Sequence, residues 1–422
     1  MSISQNKKRS FLEIWLYLTA FALLLGQLVR IPLSEGGVLL PIDLLVLLLV
    51  LFWVVKNLKK KQFFIPSTGL NLPLVLFLLI TLFSFLLNYN LLVGKEYLLG
   101  FSYLVRLASY LLTFFVVLET LDSENWTKFY HLLIFVGLIF AFLGFIQLIF
   151  IPSFKFMARY GWDPHIKRLL STFFDPNYAG GFLVFVSALV LGRLFSTENK
   201  AEKGLWFFAF LFLLGGIIFT YSRSSYLAFV VMLLTVGLLR SPRLLFFGIL
   251  ILLVTFFTLP RMRQRIISGF SLDVTAQMRL ANYQQAQQII NDYPWFGVGY
   301  NNLRVIREEY GQIRNPSQHT AGGFDSSFLT VWATTGIVGL LAYLWLCWKI
   351  LKESLKQFWD KKSPPILRGL GLGIFAGFLG LIVHSQFVNS LLYPHIILYI
   401  FLSLGLFYAS RRLSKEIKAR NS

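Results

Sequence analysis

Apolar residues in this chain run in blocks of about twenty, divided by short polar breaks. A helix needs roughly 20 mostly apolar residues to cross a hydrocarbon core of about 30 Å. Twelve stretches reach that length: about 11–31, 36–55, 69–88, 97–120, 129–151, 177–196, 204–221, 224–240, 244–260, 326–348, 367–387 and 391–410. The pattern predicts an all-α polytopic membrane protein with about twelve transmembrane helices. Spans one to five fall within 1–151, six to nine within 177–260, and ten to twelve within 326–422, which ends in a basic tail. A first loop occupies 152–176 and a much larger one 261–325. The narrowest break is Ser222-Arg223-Ser224. The block 204–240 is too long for one span, so two are predicted. The first span lacks a small-residue cleavage site and keeps Arg30 at its far end, which predicts an anchor and not a cleaved signal.

Composition agrees with that class. Of 422 residues, 56% are hydrophobic and 14% charged, with mean hydropathy +0.68; soluble domains carry about 25% charge. A cytosolic enzyme, a disordered chain and a disulfide scaffold are excluded, the last because Cys347 is alone. The 39 Lys and Arg against 19 Asp and Glu give +20. In a soluble chain that excess would suggest nucleic acid. In a membrane chain its placement matters more than its total, and no nucleic-acid partner is expected.

Twelve spans put both termini on one side, and the positive-inside rule predicts that side to be the cytoplasm. The inside segments then hold 24 of the cations, 16 Lys and 8 Arg, while the outside segments hold 3 Lys and 11 Arg. Lysine suffices to set topology against anionic headgroups. Arginine is preferred where a planar fork must hold phosphate or carboxylate. The outer bias toward Arg suggests phosphate handling, with surface salt bridges as the alternative.

The long outer loop carries its own helices. Residues 275–290 lack Gly and Pro and place Met278, Ala281, Gln285 and Ile289 on one stripe, Arg279, Tyr283 and Ala286 on another. Asp292-Tyr293-Pro294 ends that helix. Two glycines follow among aromatics at 295–301, and 302–310 reads as a second helix with Arg304 and Arg307. Their amphipathic character suggests helices on the outer leaflet or roofing a cavity.

No P-loop or Gly-rich dinucleotide turn is present. His131, His165, His319, His384 and His395 are scattered without metal-ligand spacing, so neither a metal nor a cofactor is expected. Four segments of the outer half can carry chemistry. In the first, Arg168 precedes Pro176-Asn177, a helix entry whose free N–H groups would favour an anion; a capped span is the plainer reading. In the second, Arg223 sits between two spans, where charge is costly unless paired or facing a wet cavity. The third is Arg279 with the Gly297-Val298-Gly299 turn, which could instead be a solvated face. In the fourth, Asp325 opens a span, either as N-cap or as a base for a sugar hydroxyl; His319 could serve in its stead. Asp43 and Arg106, in the outer halves of their spans, could pair or line the cavity.

These segments, in this order, resemble the O-antigen ligase/O-antigen polymerase family of bacterial envelope glycan assembly. The matching residues are Arg168 with Asp175-Pro176-Asn177, Thr220-Tyr221-Ser222-Arg223, Arg279 with Pro294-Trp295-Phe296-Gly297-Val298-Gly299, and Asp325-Ser326 with Gly336-Ile337-Val338-Gly339. The resemblance implies a GT-C-like fold in the bacterial cytoplasmic membrane, with the active site facing the periplasm or outside. It implies transfer of a glycan from an undecaprenyl-diphosphate carrier to a glycan or lipid A-core acceptor. Family arginines hold the diphosphate, and here they match Arg168, Arg223 and Arg279, supported by Asn177, Arg106, Arg304 and His319. Ligases of the family carry His followed by Asn or Ser eleven residues before the first Gly of the last motif. Here that place holds Asp325, followed by Ser326. An acidic residue there tilts the expectation from ligase to polymerase. The competing reading is a lipid-linked glycan flippase or other secondary transporter, for which repeated halves and broken helices would be expected; the sequence displays neither.

Overall fold

The structure, a computed structural model, describes residues 10–34, 37–61, 66–92, 94–270, 273–313 and 322–421. Its helices in chain order are α1 (Phe11–Ala22), α2 (Pro41–Lys59), α3 (Asn71–Leu87), α4 (Lys95–Thr120) and α5 (Trp126–Phe150). Then come α6 (Pro176–Leu194), α7 (Lys200–Thr220), α8 (Arg223–Leu239), α9 (Pro242–Thr258) and α10 (Pro260–Ile267). The last five are α11 (Val274–Asp292), α12 (Leu303–Glu309), α13 (Ser327–Trp359), α14 (Pro365–His384) and α15 (Pro394–Asn421).

Each of the twelve apolar stretches falls on a helix. Eight helices among the described residues are long and apolar enough to cross a membrane, and a ninth span arises if α9 and α10 count together. The remaining three, Phe11–Leu25, α3 and α8, are apolar but shorter. The block 204–240 is indeed two helices: Tyr221 closes α7 in the left-handed conformation, and the Ser222 hydroxyl caps α8 by accepting from Ser225 N. The first stretch is shorter than predicted. It ends near Leu25, and residues beyond it form an antiparallel ribbon, Ile31–Ser34 paired with Gly37–Leu39. Gly26 ends the helix at φ 51° and ψ −122°, outside the helical region and open to glycine.

The centre of the bundle is α6, wrapped by α5, α7, α8 and α14, and α15 is buried along most of its apolar length. Small residues allow this density. Gly192 of α6 and Gly369 of α14 meet so closely that a Cβ on either would lie 2.1–2.2 Å from the other's carbonyl oxygen, the close backbone approach that drives helix association without water. At the opposite extreme α9 buries only Gly248. It stands at the rim, bent by 99° into α10.

One helix departs from the sequence expectation. α13 is broken at Gly336, where φ 65° and ψ −172° leave the helical region. The broken helix that the sequence did not display is therefore present. Unpaired backbone at such a place must be satisfied by protein, and the Pro294–Gly299 segment does so. Val298 N and Gly299 N donate to the carbonyls of Ala333 (3.0 Å) and Thr334 (2.9 Å). In return Ile337 N and Val338 N donate to those of Pro294 (2.9 Å) and Trp295 (3.3 Å). Ser84 and Asn88 of α3 bond the same turn, at Phe296 O and Gly297 O.

Candidate active site

The loops at one end of the bundle, with the ends of α4, α6, α12 and α13, enclose a cavity of about 350 Å³, within the range of small-molecule sites. Asp325, Arg106 and Arg304 line it; Arg168, Asn177, Arg223 and Arg279 do not. His319 lies outside the described residues.

Asp325 stands two residues before α13, and its backbone explains its freedom to act. The cap of α13 is Ser326, whose hydroxyl accepts from Leu329 N at 3.3 Å, so Asp325 is not the N-cap. Its own N–H donates to Asn282 Oδ1 of α11 at 2.8 Å. Burial pushes its carboxyl above the ordinary carboxylate range, and Arg279 and Arg307 pull it partly back. Arg307, on the second loop helix, builds this corner. Its guanidinium is buried, donates to Gly323 O (2.7 Å) and Gln285 Oε1 (3.2 Å), and stacks over Phe324 at 4.8 Å.

The helix carrying Arg279 presents the Arg279, Tyr283 and Ala286 stripe to the protein, with Ala286, Ile289 and Ile290 buried. The other stripe does not hold as a unit, because Met278 is exposed while Ile289 is buried. The apolar demand of this end falls on the small cluster of Ile289, Val298, Leu303, Ile306 and Phe324, so the helix turns toward that cluster. Arg279 itself rests over Phe387 at 5.9 Å, and burial lowers its pKa while Asp325 supports its charge.

Beside Asp325 lies a group of arginines. Arg223, the first residue of α8, takes Asp273 with both forks at 2.9 and 3.1 Å. Asp273 also caps α11 through Ala276 N at 2.9 Å, so one carboxylate joins two candidate motifs. Arg265 and Arg261 of α10 stand in the same field. Arg261 donates to the carbonyls of Ile166 (2.6 Å) and Lys167 (2.7 Å). Arg168 donates to Thr220 O (2.8 Å) and Tyr221 O (3.3 Å), the open carbonyl end of α7. Burial and the neighbouring Arg265 push the Arg168 pKa down to about 9, and burial with Arg168 pushes His165 down to about 4.

The bonds decide two alternatives that the sequence leaves open. The entry of α6 offers no free N–H groups at Asn177 and Tyr178, because Asp175 Oδ1 already accepts from both (2.7 and 3.1 Å). Asn177 is itself occupied: its Oδ1 accepts from the Ser222 hydroxyl at 2.7 Å, which ties α6 to α8. Asp43 and Arg106 do both things that the sequence left open. They pair at 2.6 Å, with Tyr110 donating to the second carboxylate oxygen, and Arg106 still lines the cavity.

Sequence reasoning missed three contributors. Arg30 stacks over Trp162 at 5.3 Å on the cavity wall. Glu96 holds Arg304 at 3.2 Å. Gln147 of α5 holds the loop before α6, accepting from Leu170 N (2.9 Å) and Ser171 N (3.3 Å). Only Gln147 gave a signal, as a lone amide in an apolar run. Among the described residues no group of three or more His, Cys, Asp and Glu is placed to hold a metal.

Taken together these features define a polytopic helical membrane protein with a polar, carboxylate-bearing chamber at one end, bordered by arginines. Residues 208–344 match the family model described as O-antigen ligase. That segment carries Arg223, Arg279, the Pro294–Gly299 turn, Asp325 and the Gly336 break, so the chain is similar to the O-antigen ligase family over about a third of its length. The family implies a membrane glycosyltransferase-like enzyme acting on lipid-linked glycans in general. No curated protein matches the chain in a sequence comparison.

Proposed function

We propose that the protein polymerises undecaprenyl-diphosphate-linked glycan units on the outer face of the bacterial cytoplasmic membrane, with both termini in the cytoplasm. The observation that carries this reading is Asp325: a half-buried carboxylate that lines the cavity, caps nothing, and lies within the field of Arg279 and Arg307. Asp325 takes the proton of an acceptor hydroxyl. The oxygen attacks the anomeric carbon from the face opposite the phosphate, and the sugar–phosphate bond breaks. The electron pair leaves on undecaprenyl diphosphate, whose growing charge Arg223 and Arg279 stabilise. Arg168 acts behind them, holding the end of α7 from which α8 and Arg223 begin. Asp325 in place of the ligase His favours a glycan over lipid A-core as acceptor.

Arg223→Ala and Asp325→Ala should each abolish glycan transfer and leave membrane insertion intact, as read from polymer length in cells lacking the native protein. Wild-type-like polymer from both variants would sink the assignment. Supplying the lipid-linked glycan with and without lipid A-core separates the two acceptors, since a polymerase lengthens the glycan in both cases.

A further inference from the structure

Asp325 lines the cavity, whereas the arginines that the preceding section assigns to the diphosphate stand outside it. The charge on the two sides differs in the same sense. Among the described residues the lining carries three arginines, Arg30, Arg106 and Arg304. Against them stand four carboxylates, those of Glu96, Asp163, Asp175 and Asp325. Arg304 is matched by Glu96 and Arg106 by Asp43, which lies behind the wall. A diphosphate entering this chamber would meet no surplus of positive charge, and its desolvation would go uncompensated.

The other side of Asp325 is the reverse. Arg168, Arg223, Arg261, Arg265 and Arg279 lie within one another's fields, and of the carboxylates there Asp273 is in ion-pair contact, with Arg223. The excess charge favours an anion, and of these arginines Arg223 and Arg279, which hold no backbone carbonyl among the described residues, can turn their forks to phosphate oxygens. α10, which supplies two of these arginines, leaves the rim helix α9 at 99°. The cluster thus adjoins the outward, apolar face of the bundle, where a lipid carrier would stand.

We infer that the two substrates occupy separate compartments: the cavity is the acceptor subsite and takes an uncharged sugar residue of a glycan, while the lipid-linked diphosphate stays outside it among the arginines. The inference rests on the transfer reading above. Paired charges suit hydroxyls, because a carboxylate accepts from them and a guanidinium donates to them. Trp162 and Tyr103 also line the cavity and add aromatic surface for a pyranose beside the arginines that stack on them at 5.3 and 4.3 Å. Asp325 sits on the boundary, on the side of the hydroxyl it must deprotonate.

Cys347 is the chain's single cysteine and is buried, so Cys347→Ala gives a thiol-free background. In it Val305→Cys places a thiol in the cavity wall, and Ser268→Cys places one beside Gly269, where an added Cβ would lie 3.3 Å from the Arg223 side chain. Each full-length variant is labelled with a maleimide, with and without undecaprenyl diphosphate bearing no sugar. At ten times its Kd the lipid should slow labelling at 268 about tenfold and leave 305 unchanged. Blocking the thiol at 305 with a bulky maleimide should stop polymer formation in membranes that hold the native lipid-linked glycan, while protection at 268 persists. Equal protection of 305, or elongation by the blocked protein, overturns the assignment of the cavity to the acceptor. Protection at neither position overturns the transfer reading itself, and the compartments with it.

Discussion

Gly336→Ala tests whether the break in α13 is a structural hinge point of the site. At φ 65° and ψ −172° an added Cβ would lie 2.1 Å from the carbonyl carbon and oxygen of Trp295 and 2.3 Å from Phe296 N. All three are backbone atoms, so no side-chain rotation relieves the clash. Holding a non-glycine residue in that region costs about 1–3 kcal/mol. Moving the turn away instead breaks some of the four backbone hydrogen bonds that join it to α13, each worth about 1 kcal/mol. Either route costs about 3 kcal/mol, which raises the open population roughly a hundredfold. Cys347 lies on α13 eleven residues further on and is buried, so its maleimide labelling under native conditions follows opening when reclosing is fast. The variant should label about a hundredfold faster than wild type. Gly204→Ala on α7, where nothing lies within 4 Å of the new Cβ, should label like wild type. Wild-type labelling of Gly336→Ala would refute the account of the break and of the glycine-bearing motifs on both sides of it.

Three further outcomes follow from the charges. Asp43→Ala removes the partner of a buried arginine, which costs about 3–5 kcal/mol, and should be seen as a lowered unfolding temperature; Arg106→Met in the same chain should recover most of it. Transfer should fall as pH drops through the raised pKa of Asp325, because only the carboxylate accepts a proton. Arg307→Gln should move that acidic limb to higher pH, and Arg307→Lys should move it less, as measured in the pH profile of polymer formation. The same shift has a stability sign. A carboxyl whose folded pKa exceeds its unfolded value contributes stability at low pH that is lost as pH rises through the folded pKa. Asp325→Asn should therefore lose transfer by about 10²–10⁴-fold while unfolding at a higher temperature than wild type at neutral pH.

The helices were legible because their signal is length and apolar content, and both survive any packing. Their partners were not. Nothing in the blocks 177–196 and 367–387 says that Gly192 faces Gly369 so closely that neither has room for a Cβ. The same limit applies to the loops. The Gly297-Val298-Gly299 turn could be seen as a special backbone, but its complement, the break at Gly336, is forty residues away and inside a long apolar run. A helix period read without tertiary contacts also left open which face of α11 is buried: Met278 is exposed, whereas Ala286 and Ile289 pack into the small cluster. Arg223 and Asp325 could be picked out because charge at a span end is rare, and Arg279 because it sits on the loop helix that leads to the Gly297-Val298-Gly299 turn. Arg30 and Glu96 look like ordinary interface charges in the sequence, and only the folded loops bring them to the cavity wall.

The excess of arginine over lysine in the outer loops suggests phosphate. The bonds of those arginines divide the reading in two. Arg168, Arg261 and Arg307 spend their forks on backbone carbonyls, at Thr220 and Tyr221, at Ile166 and Lys167, and at Gly323. A lysine could not replace them, since one guanidinium reaches two acceptors at fixed geometry where no helix supplies donors. These arginines knit loops that have few hydrogen bonds of their own. Arg223 and Arg279 differ: one is held by a carboxylate at the start of the loop helix, and the other stands between Asp325 and an aromatic ring. A phosphate can displace the Asp273 carboxylate from Arg223 with no backbone group left bare, whereas drawing Arg168 away would strip the end of α7. The bias toward arginine thus has two physical sources, and only the second group can exchange its partner for a ligand while the loops keep their shape.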